Sequence, residues 1–161
     1  NNVKVVFLGD PNPIARDIAA QMKKLERATK NNDGLILNIA LNYGGRDEIV
    51  RAAQKFGMDT AASKVLPKDL TVEHFERYLD TEGQTNPDLI IRTAGEHRIS
   101  NFLLWQIAYS ELHFTMTTWP DFTIKELQLI LSEFNQAERT FGGNKSKNLG
   151  NKLRGKKSIV K

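Results

Sequence analysis

Residues 35–41, Leu-Ile-Leu-Asn-Ile-Ala-Leu, constrain the fold of this chain more than any other stretch. An extended strand turns alternate residues to opposite faces, and here both faces are apolar. Such a strand fits a parallel sheet covered on both sides. Residues 3–8, Val-Lys-Val-Val-Phe-Leu, form a similar run, closed by the turn residues Gly9, Asp10, Pro11 and Pro13. Residues 88–92 (Asp-Leu-Ile-Ile-Arg) are a third strand and 114–117 a fourth.

Helical spacing fills the intervals. Ile14, Ile18, Met22 and Leu25 share one face over residues 13–29, with Pro13 in the first turn. Residues 46–56 form a second helix, and Thr71 caps a third carrying Phe75, Tyr78 and Leu79. Ser100 caps a helix over 100–111, and Thr123 caps a last one to Phe141, stopped by Gly142-Gly143. Strands alternating with helices predict an α/β domain, a parallel sheet flanked by helices. Ligands of such sheets bind beyond the carboxyl ends of the strands. Gly9-Asp10, residues 42–46 and residues 92–100 fall there.

Cysteine is absent, which excludes disulfides, thiolate metal sites and a Cys nucleophile. No apolar run reaches the roughly 18 residues a membrane span needs. The net charge of +4 is concentrated at the end: residues 145–161 hold many bases and no acid, and without them the chain is close to neutral. Solvation alone accounts for such a tail, and weak contact with nucleic acid or anionic lipid is the sharper alternative.

Residues 92–111 hold the chemistry. Arg92 ends a buried strand, so its charge must meet water, a carboxylate or a ligand. Arg98 stands two residues before the expected cap Ser100, where free N–H groups favour an anion. Arginine forks match phosphate oxygens. The plainer alternative pairs Arg92 with Glu96 or Asp47 and leaves Ser100 a cap. Glu111, three helical turns on and about 16 Å away, is either a salt-bridge partner or an oxygen ligand for Mg²⁺. His97 is a surface residue or, beside a phosphate, a donor or metal ligand. Gly44-Gly45 suggests a phosphate cradle or a tight strand-to-helix turn, without the spacing of a known phosphate loop. Asp10 is a turn residue or a catalytic acid.

With RTAGEHRISNFLLWQIAYSELHF, WPDF and NYGGRDEI laid out, the chain resembles the cis-prenyltransferases from about Val3 to Gly143. The resemblance implies a parallel sheet and helices around an apolar tunnel, in a homodimer. It implies condensation of isopentenyl diphosphate onto farnesyl diphosphate with Mg²⁺, each new double bond cis, as in the bacterial members that make undecaprenyl diphosphate for the cell-wall lipid carrier. Arg92, Arg98, Ile99 and Ser100 would then hold isopentenyl diphosphate, and Glu111 and His97 would serve Mg²⁺, Glu111 in the facing subunit. Location would be cytoplasmic, with peripheral contact at the inner membrane for the lipid product, and no nucleic-acid partner.

The family's Asp-Gly-Asn-Gly-Arg segment, which supplies its essential aspartate, has no counterpart here, and Asp10 does not replace it. Residues 1–143 therefore correspond to the C-terminal part of one domain, 144–161 to a basic tail, and the chain alone is expected not to turn over. A non-catalytic partner subunit is the alternative. Ala94 stands where Ser or Gly is common, and Arg139 lies one place before the register of the family's Arg-x-Gly.

Overall fold

A computed structural model describes residues 2–136. The expected helix end at Phe141, the Gly142-Gly143 stop, Arg139 and the 144–161 tail lie outside the described residues. The chain divides into two compact units, Asn1–Thr123 and Ile124–Lys161.

In the first unit β1 (Val3–Leu8) leads into α1 (Arg16–Thr29), β2 (Leu35–Ala40) and α2 (Gly45–Ala61). Next come α3 (Val72–Glu76), β3 (Leu89–Arg92) and β4 (Glu111–Phe114). The second unit's described part is α4 (Ile124–Gln136). All pairing is parallel, as the doubly apolar strands predict. The strands associate two by two, β1 with β2 from Val3↔Leu35 to Leu8↔Ala40, and β3 with β4 from Leu89↔Glu111 to Arg92↔Phe114.

Several boundaries move for local reasons. α1 begins at Arg16, because the Ile14 N–H closes a turn onto the Pro11 carbonyl. α2 runs on past Phe56 through Gly57 to Ala61. Thr71 caps α3 as expected, its hydroxyl accepting from the His74 N–H at 3.1 Å.

The free edge of β1 is closed by side chains. The Val5 N–H donates to Thr29 Oγ1 at 3.1 Å and the Phe7 N–H to Glu26 Oε1 at 3.0 Å, both from α1. Both bonds occupy N–H groups that a bare sheet edge would leave open. β2 differs. Its six residues are all exposed, Leu35 at 64%. The two-sided cover expected of this strand is not formed among the described residues. The core lies instead beneath β1 and α2, around Val5, Leu8, Ala52, Leu79 and Ile107.

The largest correction concerns residues 100–111. No α-helix forms there. Ser100, Asn101 and Leu103 adopt left-handed backbone angles (φ 51°, 63° and 45°), which a right-handed helix excludes. Ser100 therefore caps nothing. Only isolated bonds remain, such as Ile107 N–H to the Leu103 carbonyl at 3.0 Å. Trp105 is held by α3, its indole N–H donating to Glu76 Oε1 at 3.2 Å and its ring 4.8 Å from that of Phe75. Tertiary contacts override the helical spacing. The fourth strand consequently starts at Glu111, three residues before its expected position.

Candidate functional site

β3 ends on Arg92, opposite Phe114 of β4. The following turn is pinned to the chain beyond β4. The Ala94 N–H donates to the Thr117 carbonyl and the Gly95 N–H to the Thr115 carbonyl, each at 2.8 Å. Gly95 has φ 67°, and a Cβ there would approach Met116 Sδ to 2.8 Å. Ala94 takes φ 63° beside it, a left-handed conformation costing an L-residue about 1–2 kcal/mol.

This turn brings Arg92 and Arg98 together. Arg92 Nη2 lies 3.9 Å from Glu96 Oε2, and Arg98 Nη2 forms an ion pair with the same oxygen. Asp47, the other partner considered for Arg92, instead pairs with Arg51 Nε at 2.8 Å. Both arginines also line a cavity of about 160 Å³ whose remaining walls are apolar, among them Ile99, Phe102, Ile107 and Phe114. The site thus joins two guanidinium groups to a small greasy chamber.

The other predicted site residues are spread out. Ile99 lines the cavity. Ser100 is exposed beside it in sequence. His97 is exposed, its ring 4.9 Å from that of Phe114 and tilted by 37°. Glu111 opens β4 opposite Leu89, whereas Phe114 closes that strand opposite Arg92. Three residues of strand cover roughly 10 Å, so His97 and Glu111 stand at opposite ends of β4. The helical separation expected for Glu111 is replaced by a strand separation of similar consequence. Among the described residues no group of three or more His, Asp or Glu gathers to hold a metal ion.

Beneath the site lies a polar knot that the motif reading missed. Glu48 of α2 is 1% exposed. Its carboxylate accepts from the Tyr43 hydroxyl at 2.6 Å, the Asp80 N–H at 2.8 Å and Gln106 Nε2 at 3.1 Å. A buried charge tolerates this only when its oxygens are fully occupied by donors. Burial and the adjoining Glu48 push the Tyr43 phenol far above its ordinary range, so it remains a donor. The sequence signals were Gln106 within the apolar run Leu-Leu-Trp-Gln-Ile, and Asp80 straight after the core residue Leu79.

Gly44 and Gly45 lie between β2 and α2, the tight strand-to-helix turn expected of them, and they also make room for a neighbouring segment. A Cβ on Gly45 would lie 2.8 Å from Leu104 Cγ, and one on Gly44 2.7 Å from Asn101 Nδ2. The glycines let residues 101–104 settle directly on the start of α2. Asp10 is a turn residue: its Oδ1 accepts from the Asn12 N–H at 3.0 Å, and its carbonyl from Asn42 Nδ2 at 2.9 Å.

Residues 1–142 match the prenyltransferase family model described as undecaprenyl diphosphate synthase. The chain belongs to the undecaprenyl diphosphate synthase family. Within that family it is 48% identical over 147 residues to an isoprenyl transferase of Streptococcus pneumoniae, covering 89% of this chain and 58% of the relative. An isoprenyl transferase of Brucella suis is 49% identical over 143 residues, covering 89% and 56%. The chain thus spans just over half the length of these relatives. Solved structures agree on the fold. The lavandulyl diphosphate synthase of Lavandula x intermedia, solved with dimethylallyl diphosphate, superposes with a TM-score of 0.83 at 33% identity, covering 88% of this chain and 61% of that one. A probable undecaprenyl diphosphate synthase from Campylobacter jejuni gives 0.77 at 35% identity, covering 89% and 64%. The α/β architecture with parallel strands is therefore that of the undecaprenyl diphosphate synthase family. No helix of the described residues is long and apolar enough to cross a membrane.

Proposed function

We propose that this chain carries the isopentenyl diphosphate half of a cis-prenyltransferase site. One observation carries the reading: Arg92 and Arg98 converge at an apolar cavity of about 160 Å³. Two guanidinium forks are suited to a diphosphate, whose oxygens would take over from Glu96. A cavity of about 150 Å³ holds a guest the size of benzene, so a five-carbon chain fits. The five-carbon diphosphate bound to the Lavandula relative is of the same ligand class.

In the proposed reaction the arginines, with Ser100 beside them, fix the diphosphate of isopentenyl diphosphate, and Ile99 helps orient its alkene. The partner substrate is the allylic farnesyl diphosphate, and the product is undecaprenyl diphosphate. Arginines that exist only to brace a scaffold would have no need of a cavity, which disfavours a purely non-catalytic partner subunit.

Titration calorimetry tests the ligand. Isopentenyl diphosphate is expected to bind this chain about tenfold or more tighter than inorganic pyrophosphate, since burying each CH₂ contributes about 0.8 kcal/mol. Equal affinity for isopentenyl diphosphate and pyrophosphate would remove the cavity from the argument.

Magnesium, the cofactor implied by family resemblance, does not fit the residues of a single chain, because Glu111 and His97 stand at opposite ends of β4. The proposed assembly is a homodimer in which Glu111 of one copy completes the site of the other. Mixed dimers of Glu111→Lys and Arg92→Ala copies address this. With the substrates and any catalytic segment the relatives possess supplied, they should recover a fraction of the activity that each variant alone lacks. No recovery, with dimers demonstrably mixed, would count against a shared site.

A further inference from the structure

We infer that Asn101 is a positioning residue that caps α2 from outside the helix and thereby sets the place of Arg98 and Ser100. The inference rests on the diphosphate reading of the arginine site. α2 begins at Gly45 with Gly44 at its cap position, where no side chain can serve. The first N–H groups of a helix need acceptors. Asn101 provides two. Its carbonyl accepts from the Gly45 N–H at 2.7 Å, and its Oδ1 from the Arg46 N–H at 2.9 Å. A capping side chain ordinarily comes from the residue before the helix, whereas this one comes from 55 positions downstream.

Three further features fit that role. Asn101 has φ 63°, a conformation asparagine tolerates better than most residues. Gly44 and Gly45 leave room for it and for Leu104, whose backbone nitrogen would lie 2.9 Å from a Cβ on Gly45. Five residues on, Gln106 Nε2 reaches Glu48 of α2, which is buried, and Thr81 Oγ1 at 3.0 Å. The segment following Arg98 is thus fastened to one face of α2 at residues 101, 104 and 106. Ser100 and Arg98 precede the first fastening by one and three residues. Loss of the cap frees them to move, while Arg92, fixed on β3, stays in place.

The experiment compares the wild-type chain with Asn101→Ala, Asn101→Gly and Asn101→Asp. Amide hydrogen exchange without ligand is measured alongside calorimetry with inorganic pyrophosphate. Asn101→Ala removes the side-chain acceptor and the tolerance of a left-handed backbone. It should speed exchange at Gly45, Arg46 and Phe102, whose N–H groups are bonded to the Asn101 carbonyl, Asn101 Oδ1 and the Ile99 carbonyl, by about tenfold or more and weaken pyrophosphate binding by a similar factor. Asn101→Gly keeps the turn and the carbonyl acceptor, so its effects should be smaller. Asn101→Asp retains an acceptor for the Arg46 N–H and should restore slow exchange. Unchanged exchange at Arg46 and Phe102 in the alanine variant, or pyrophosphate affinity within twofold of wild type, overturns the inference. A wild-type chain that binds no pyrophosphate counts against the diphosphate reading instead, and exchange alone then decides the positioning claim. Should the alanine variant not fold, the contrast between glycine and aspartate decides it.

Discussion

Replacing Arg92 and Arg98 together by alanine is expected to weaken binding of isopentenyl diphosphate by about a hundredfold to ten-thousandfold. A hydrogen bond to a charged group contributes about 1.5–3 kcal/mol, and each 1.4 kcal/mol is a factor of ten. Each arginine alone should therefore cost about tenfold to a hundredfold. Lysine at both positions keeps the charge but loses the fork, and should fall between wild type and the double alanine variant. Stability should change little. The Arg98 side chain is 66% exposed and that of Glu96 36%, with Glu96 Oε2 itself shielded, and partly exposed ion pairs contribute about 1 kcal/mol. Calorimetry on the two variants, with thermal denaturation as the folding control, gives the answer. Affinity within threefold of wild type in a folded double alanine variant would falsify the arginine assignment.

Arg51→Met is expected to produce the largest loss of stability, about 2–3 kcal/mol at neutral pH, because it leaves a largely buried carboxylate without its cation. Arg51 grips Asp80 with two nitrogens, Nη1 at 2.8 Å and Nη2 at 2.7 Å, and the Asp80 side chain is only 11% exposed. Asp80 also accepts from the Gly9 N–H at 3.0 Å, and its own N–H donates to Glu48. This pair therefore ties the end of β1, the middle of α2 and the polar knot together. Burial works to raise the Asp80 carboxyl, but the Arg51 fork and the Gly9 N–H outweigh it and hold the carboxyl below the usual range.

The sign of the pH dependence follows. An acid whose pKa is lower in the folded state stabilises the fold above its unfolded pKa of about 3.9. That stability is lost as pH falls through the lower folded value. The gap between wild type and Arg51→Met should be full at pH 7 and narrow below about pH 4. Urea denaturation at pH 7 and pH 3 measures it. A gap equally wide at both would show that the pair acts through packing rather than charge.

Both predictions concern residues the sequence presents very differently. Arg92 and Arg98 stand in a motif, and their roles as strand end and loop residue could be read from hydrophobic runs and turn residues nearby. Asp80 and Gln106 had only weak local signals, a lone acid and a lone amide in apolar surroundings. Their partners lie far away in the chain: Gln106 meets Glu48 across 58 positions and Arg51 meets Asp80 across 29. Periodicity carries no information about such pairs.

The helix expected over 100–111 shows the same limit from the other side. Leu103, Leu104 and Ile107 have helical spacing, but spacing records only which residues prefer to be buried. Gly45 invites Leu104 to close contact, Asn101 turns left-handed to cap α2, and Glu76 takes the Trp105 N–H. Three contacts with two different helices outweigh a weak local preference of a few tenths of a kcal/mol per residue. Glu111 moves from a helix to a strand as a result.

From its sequence alone this chain determines β1, β2 and β3, the parallel α/β plan and the family, because each rests on local apolar runs or on a contiguous motif. Tertiary structure alone decides that Arg92 and Arg98 share one carboxylate oxygen, that Gly44-Gly45 is a seat for residues 101–104, and that His97 and Glu111 stand apart. Those outcomes depend on which distant groups satisfy a buried carboxylate and two open N–H groups at a helix start. That competition is settled only when the whole chain is packed.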